Sequence, residues 1–172
     1  IIYGDYDVDG ITATSIMYLF LSSIGLEVSY YIPDRADEGY GISEAAVDYL
    51  CENSFDLMIT VDCGISAKDR VEQIKEKLAM QGREMDIIIT DHHQPDIDNL
   101  PDAMALINPH LPYSAYPFDK LCGAGVAFKL VQALCHSLNL GDEYFNYIDL
   151  ACLGTIADIV ELTGENRVIA QI

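Results

Sequence analysis

Asp86-Ile87-Ile88-Ile89-Thr90 places three isoleucines in a row, and this run constrains the fold more than any other stretch. A strand with one wet face alternates apolar and polar residues. A strand apolar at every position is covered on both faces, as in a parallel sheet between helical layers. Four more short runs, Ile1–Tyr6, Glu27–Pro33, Phe55–Val61 and Ala103–Ile107, read as strands. Helix-length segments separate them. The first runs from about Gly10 to Ile24, with Gly25 as its stop, and the second follows Ser43 to Cys51. The third is a charged helix capped by Ser66 that runs to about Gln81. A Pro-rich loop over Asn108–Phe118 precedes helices from Gly123 to Leu138 and from Asp142 to about Leu153. Such alternation implies right-handed βαβ units. The expected fold is α/β: a doubly wound, mostly parallel five-stranded sheet flanked by helices.

Composition narrows the function. With 172 residues and 51% hydrophobic content, the chain is one domain with a substantial core. It begins inside a strand pattern without Met, and Gly164–Ile172 stops in mid-pattern, so a piece of a longer protein is expected. No run is long enough to span a membrane, so no membrane partner is expected. Five cysteines without a C-x-x-C spacing fit scattered thiols in a reducing cytoplasm better than disulfides or a zinc knuckle. Nine Lys and Arg against 28 Asp and Glu give a net charge of −19. That balance argues against this domain alone gripping a phosphate backbone. Either the substrate is small, or a basic partner domain lies elsewhere.

In doubly wound sheets, ligands sit at the carboxyl ends of the strands. Three strand ends here carry metal-ligand side chains. Asp5, Asp7 and Asp9 follow the first strand; read as extended chain, their alternation brings all three carboxylates to one spot. Crowded carboxylates repel unless a cation neutralises them, and Mg²⁺ or Mn²⁺ suits that role. A solvated acidic turn and a calcium loop are the alternatives, but the twelfth loop position, Glu in an EF-hand, is Ile16. Asp62, in V-D-C-G-I-S, is either a helix-capping aspartate or a carboxylate shared by metals. After the fourth strand, one imidazole of Asp91-His92-His93 can ligate metal while the other faces a phosphate, with Asp91 orienting an imidazole N–H. The alternative is an exposed loop. Asp158, within an apolar stretch, is either a helix-end residue or a last ligand. Gly123 and Gly125 open a helix whose N–H groups can cradle an anion, or they serve close packing. Arg35 reads as a salt-bridge partner or a phosphate ligand. His110 and His136 lack such company.

These residues resemble the DHH phosphoesterases, and within them the branch of single-strand-specific exonucleases. The likeness is carried by Y-G-D-Y-D-V-D-G-I-T-A-T, P-D-R-A-D-E-G-Y-G-I, V-D-C-G-I-S, D-H-H, I-N-P-H-L-P, L-C-G-A-G-V-A-F-K-L and G-T-I-A-D-I-V-E-L-T-G-E-N-R. The resemblance implies metal-binding roles for Asp7, Asp9, Asp62, His92 and Asp158, with Asp5 and His93 as further active-site residues. Where other branches place a histidine two residues before Asp5, this chain has Tyr3. That leaves one metal position short of a nitrogen ligand. No counterpart of the glycine-rich DHHA1 domain is visible, so residues 1–172 read as the DHH catalytic domain alone.

The activity the resemblance implies is hydrolysis of phosphodiesters using two Mn²⁺ or Mg²⁺ ions that share Asp62. Asp7 would hold one ion, and Asp9, His92 and Asp158 the other. Asp5, Asp62 and His93 would be catalytic; Arg35, His93, Gly123 and Gly125 would bind substrate. The implied reaction is 5′→3′ digestion of single-stranded DNA in recombination and repair. Single-strand-binding protein, a helicase and DNA held mainly by a C-terminal region are the implied partners. A small-substrate enzyme acting on short oligonucleotides or a cyclic dinucleotide is the alternative, and the acidic charge favours it. A non-catalytic scaffold on the same fold would have lost metal ligands that this chain retains.

Overall fold

The computed structural model describes residues 1–171. Five strands form one sheet: β1 (Ile2–Tyr3), β2 (Tyr30–Tyr31), β3 (Leu57–Thr60), β4 (Asp86–Thr90) and β5 (Ala105–Ile107). Their order is β2-β1-β3-β4-β5. Every pairing is parallel. The chain moves outward one way from β1 to β2 and the other way from β3 through β5. The strand order therefore reverses between β1 and β3, where sheets of this type open a crevice at their carboxyl edge.

Helices cover both faces. On one lie α1 (Val8–Ser23), α4 (Gly123–Leu138) and α5 (Ile148–Ala157), with the short α6 (Gly164–Ile169) against α5. Their core joins Ile16, Met17 and Phe20 to Ala124, Ala127, Phe128 and Val131 across Ile2 and Ile59. On the other lie α2 (Glu44–Glu52) and α3 (Lys68–Met80), whose core joins Val47, Leu50, Ile74 and Leu78 to Met58, Ile87 and Ile89. Successive isoleucines of β4 thus alternate between the two cores, with Ile88 packing on the α1 side.

Several boundaries differ from the sequence reading. The second strand contracts from Glu27–Pro33 to Tyr30–Tyr31. Ser66 does not cap the third helix, which begins two residues later with Ala67 at its cap and no side-chain hydrogen bond there. Gly64, at φ 105°, and the turn after it displace the start. The stretch after Asp142 opens as a 3-10 turn, Glu143–Tyr147, before α5. Ile172, the last residue of the stretch read as stopping in mid-pattern, lies outside the described residues. No helix among the described residues is long and apolar enough to cross a membrane.

Candidate metal centre

The first acidic cluster forms where β1 hands over to α1, and the handover is abrupt. Gly4 and Gly10 make it possible: a Cβ on Gly4 would lie 1.9 Å from Thr14 Oγ1, and one on Gly10 would lie 2.6 Å from the Asp5 carbonyl oxygen. Asp7 is the N-cap of α1, its Oδ1 accepting from the Gly10 N–H at 2.9 Å. Asp9 is already helical, in the first turn. The three aspartates are therefore not an extended alternation converging on one spot. The helix begins at Val8 and divides them: Asp5 and Asp7 gather with Asp62, while Asp9 gathers with His92 and Asp158.

Asp9 also corrects the expectation for Gly123 and Gly125. Its Oδ2 accepts from Gly123 N–H at 2.6 Å and its Oδ1 from Ala124 N–H at 2.8 Å. The Gly125 N–H donates to Cys122 Sγ at 3.3 Å. The amides at the start of α4 are thus occupied by this chain's own side chains and are not free to cradle a substrate anion. The helix N-terminus still binds an anion, but that anion is Asp9. Glycine at 123 serves close approach, since a Cβ there would fall 2.4 Å from the Asp62 carboxylate. Gly154 does the same for Asp9, with a Cβ landing 2.7 Å from its Oδ1. Gly154 was not singled out from sequence; its place four residues before Asp158 was the available signal.

Asp62 follows β3 in the left-handed region at φ 60°, a conformation that Asp tolerates better than most residues. It is buried, and its Oδ1 stands 3.1 Å from His92 Nε2. His92 Nε2 also faces Asp9 Oδ2 at 3.7 Å and Asp158 Oδ2 at 3.8 Å. Asp158 is the C-cap of α5 and partly exposed. Three sets of ligand atoms each lie within 4.8 Å of one another: Asp5–Asp7–Asp62, Asp62–His92–His93 and Asp9–His92–Asp158. Asp62 and His92 each belong to two sets, so the clusters form one continuous site at the reversal of strand order.

Asp91 organises the histidines. Buried at the end of β4, its Oδ2 accepts from Ile65 N–H at 2.9 Å. Its Oδ1 accepts from His92 N–H at 2.7 Å and His93 N–H at 3.1 Å, and lies 2.7 Å from His93 Nδ1. Burial alone would raise this carboxyl, but the His93 ring and the backbone donors hold it below its ordinary range. The same bond raises His93 against the opposing effect of burial. Asn108, just past β5, donates from Nδ2 to the His93 carbonyl at 2.8 Å and braces the turn. Arg35, exposed, lies over the Tyr6 ring at 5.3 Å.

Three of the other acidic groups are disfavoured as carboxylates, first by burial and then by neighbouring carboxylates. Burial, then Asp9 and Asp7, pushes Asp62 up to about 10. Asp5 and Asp158 are also raised, in each case first by burial. Asp5 Oδ1 and Asp62 Oδ1 are buried and accept no hydrogen bond among the described residues. Buried carboxylate oxygens without donors, crowded beside an imidazole, fit a hard divalent cation.

The chain matches the model of the DHH family, N-terminal domain, over residues 1–155. It belongs to that family. It is 47% identical over 171 residues to the single-stranded-DNA-specific exonuclease RecJ of Bacillus subtilis, covering 99% of this chain and 20% of that protein. RecJ of Thermus thermophilus is 38% identical over 170 residues, with 99% of this chain and 24% of that protein covered. A solved structure of exonuclease RecJ bound to manganese superposes with a TM-score of 0.85 at 38% identity, covering 99% of this chain and 41% of that one. CDC45 from Entamoeba histolytica, at 16% identity and a TM-score of 0.62 over 99% of this chain and 32% of that one, shares the fold. The chain thus spans less than a third of the curated relatives named here.

Proposed function

We propose that this chain is the catalytic domain of a longer polypeptide that hydrolyses phosphodiester bonds in single-stranded DNA using two Mn²⁺ or Mg²⁺ ions. One observation carries the reading: at the reversal of strand order, two ligand sets meet through the 3.1 Å contact between Asp62 and His92. Asp5, Asp7 and Asp62 would hold one ion; Asp9, His92 and Asp158 would hold the other, with Asp62 between them. Such ions supply Lewis-acid polarisation of the phosphodiester and a nucleophile at neutral pH. The protein's own part is orientation. Asp91 holds Nδ1 of His93 and favours the protonated ring, whose Nε2–H would donate to a phosphoryl oxygen. Arg35, steadied on Tyr6, would balance charge on the phosphate. Relatives named as single-stranded-DNA-specific exonucleases support the substrate class.

The proposal extends to the 5′→3′ direction, a place in recombination and repair, and cooperation with single-strand-binding protein and a helicase. It extends also to a cytoplasmic location, which five unpaired cysteines suit. The grip on DNA would lie outside this segment, in a C-terminal region that includes a DHHA1 domain. Arg70, Lys75, Lys77, Lys120 and Lys129 are already paired with carboxylates of this chain. That same shortage of free cations favours a second reading, a small-substrate phosphodiesterase acting on short oligonucleotides or a cyclic dinucleotide.

The deciding experiment is hydrolysis by the full-length protein with Mn²⁺ on end-labelled single strands, duplexes and dinucleotides. Single-strand digestion from the 5′ end is expected. Cleavage of dinucleotides alone would establish the second reading instead. Mn²⁺ should also raise the melting temperature by relieving repulsion among the carboxylates. No rise at saturating Mn²⁺ would remove the metal assignment.

A further inference from the structure

Tyr40 stands beside this site on a loop constructed to hold it there. Gly39 and Gly41, its neighbours, adopt φ of 75° and 85°, a backbone that residues with a Cβ rarely take. Both flanks are tied down. Glu38 accepts from the Tyr31 hydroxyl at 2.8 Å, from the Asp34 N–H at 2.9 Å and from the Ser43 hydroxyl. Beyond Tyr40, the buried Tyr3 donates to the Gly41 carbonyl at 2.9 Å. Between these anchors the chain projects one aromatic ring, 53% exposed, over His93, with centroids 5.4 Å apart and planes at 64°.

Proton counting then shows what the Tyr40 hydroxyl has free. His93 Nδ1 lies 2.7 Å from Asp91 Oδ1 and 3.1 Å from Tyr40 Oη. Asp91 already accepts three backbone N–H groups through its two oxygens, so in the remaining contact, with His93 Nδ1, it is again the acceptor. The Nδ1 proton is assigned from these partners and points at Asp91. Facing a protonated nitrogen, Tyr40 Oη can only accept a share of that N–H. Its own proton is then left over, and no acceptor for it lies in hydrogen-bond range among the described residues. The Asp91–His93–Tyr40 chain fixes the oxygen beside His93, a member of the candidate metal cluster, and leaves the hydroxyl proton without a partner in this chain among the described residues.

We propose that Tyr40 is a further substrate-binding residue of this site, its hydroxyl donating to a non-bridging oxygen of the phosphodiester being cleaved. The assignment rests on the phosphodiesterase reading above. It is tested with the full-length protein and Mn²⁺, comparing wild type and Tyr40→Phe on a single-stranded oligodeoxynucleotide and on a dinucleotide. Phe keeps the ring against His93 and removes only the donor. The expected result is a fall in kcat of about 10²-fold, the loss typical of one oxyanion donor, with KM, bound Mn²⁺ and melting temperature near wild type. A kcat within twofold of wild type overturns the proposal. A fall in kcat accompanied by lost Mn²⁺ or a lower melting temperature also overturns it, because Tyr40 would then only buttress His93. Cleavage of the dinucleotide alone ends the single-strand reading and leaves Tyr40 to be judged on that substrate. Wild-type protein inert on both removes the two readings together.

Discussion

Helices α2 and α3, on one face of the sheet, turn their charge outward, whereas α1 and α5, on the other, show little division into apolar and polar sides. On the α2–α3 face, Arg70 pairs with Glu44 and Lys77 with Asp48 at the surface, above buried Val47, Leu50, Ile74 and Leu78. On the α1–α5 face, Val8, Ile11 and Leu19 of α1 and Leu153 and Ile156 of α5 are exposed while Asp9 is buried. A soluble helix ordinarily does the reverse. The first face follows the pattern that stability demands. In the second, a carboxylate has been turned inward to the reversal of strand order, and small residues such as Gly123, Ala124 and Gly154 let the helices close around it.

The contrast is broken most directly at Asp62. Asparagine keeps the size of the side chain and tolerates φ 60°, but removes the charge. Hydrolysis by the full-length Asp62→Asn protein is expected to fall by at least about 10³-fold, corresponding to about 4 kcal/mol of transition-state stabilisation. Without metal the variant should melt at or above the wild-type temperature, because a crowded buried carboxylate has been neutralised. A variant that retains wild-type turnover and metal content would show that Asp62 is not shared by the metals.

The next effect is on packing. A Cβ at Gly154 would meet Ala124 Cβ at 2.5 Å, Thr12 Oγ1 at 2.6 Å and Asp9 Oδ1 at 2.7 Å. Alanine favours the helix intrinsically by about 1 kcal/mol, yet overpacking of this kind costs about 1–3 kcal/mol. Gly154→Ala should therefore lower the unfolding free energy, as read by urea denaturation, and weaken Mn²⁺ binding at the same time. An unchanged or higher denaturation midpoint would mean that α1, α4 and α5 are not closed around Asp9 as described.

These two faces were not equally legible. The α2–α3 side follows from periodicity: Ser43 caps α2 as its place in the pattern suggests, and Asp86–Thr90 is a strand over the whole apolar run. Part of the candidate site was legible because strand ends carry ligands in this architecture: Asp5, Asp62, His92 and His93 follow β1, β3 and β4, whereas Asp7 and Asp9 belong to the start of α1 and Asp158 to the end of α5. Their grouping was not. Whether Val8 continues a strand or begins a helix depends on Asp7 capping and on Gly10 fitting against Asp5, neither of which spacing reveals. The role of Gly123 was hidden for a similar reason. A glycine-rich helix start predicts an anion, but only the packing of α1 on α4 shows that the anion is Asp9. Tyr40 was passed over because a tyrosine between glycines reads as an ordinary loop until the anchors at Glu38 and Tyr3 are seen.

Glu38, which ties the Tyr40 loop to the α2 side, gives the pH-dependent prediction. Burial opposes its ionisation, but donors from Ser43, Asp34 and Tyr31 outweigh that and hold it below its ordinary 4.5. A carboxyl depressed in the folded state contributes stability above its unfolded value and loses it as pH falls through the folded one. Wild type should therefore be more stable than Glu38→Gln at pH 6, and the difference should shrink as the pH falls well below 4.5. Urea midpoints of the two proteins at several pH values check this. A gap that persists into acid would place the stabilisation in geometry rather than charge.

The smallest effect belongs to the charged surface of α2 and α3. Lys77 Nζ lies 2.8 Å from Asp48 Oδ1 and 3.5 Å from Glu44 Oε1, all on side chains open to water. Solvent screening and the entropy of holding long side chains cancel most of the attraction in such pairs. Lys77→Ala should give a slightly lower denaturation midpoint at low salt and none that can be separated from wild type near about 1 M salt, where the screening length falls to about 3 Å. Mn²⁺ binding and hydrolysis should be unaffected, because these side chains face water on the outer side of α2 and α3 and touch none of the candidate metal ligands. A change in either would show that the two faces are energetically coupled, and the division of labour between them would have to be redrawn.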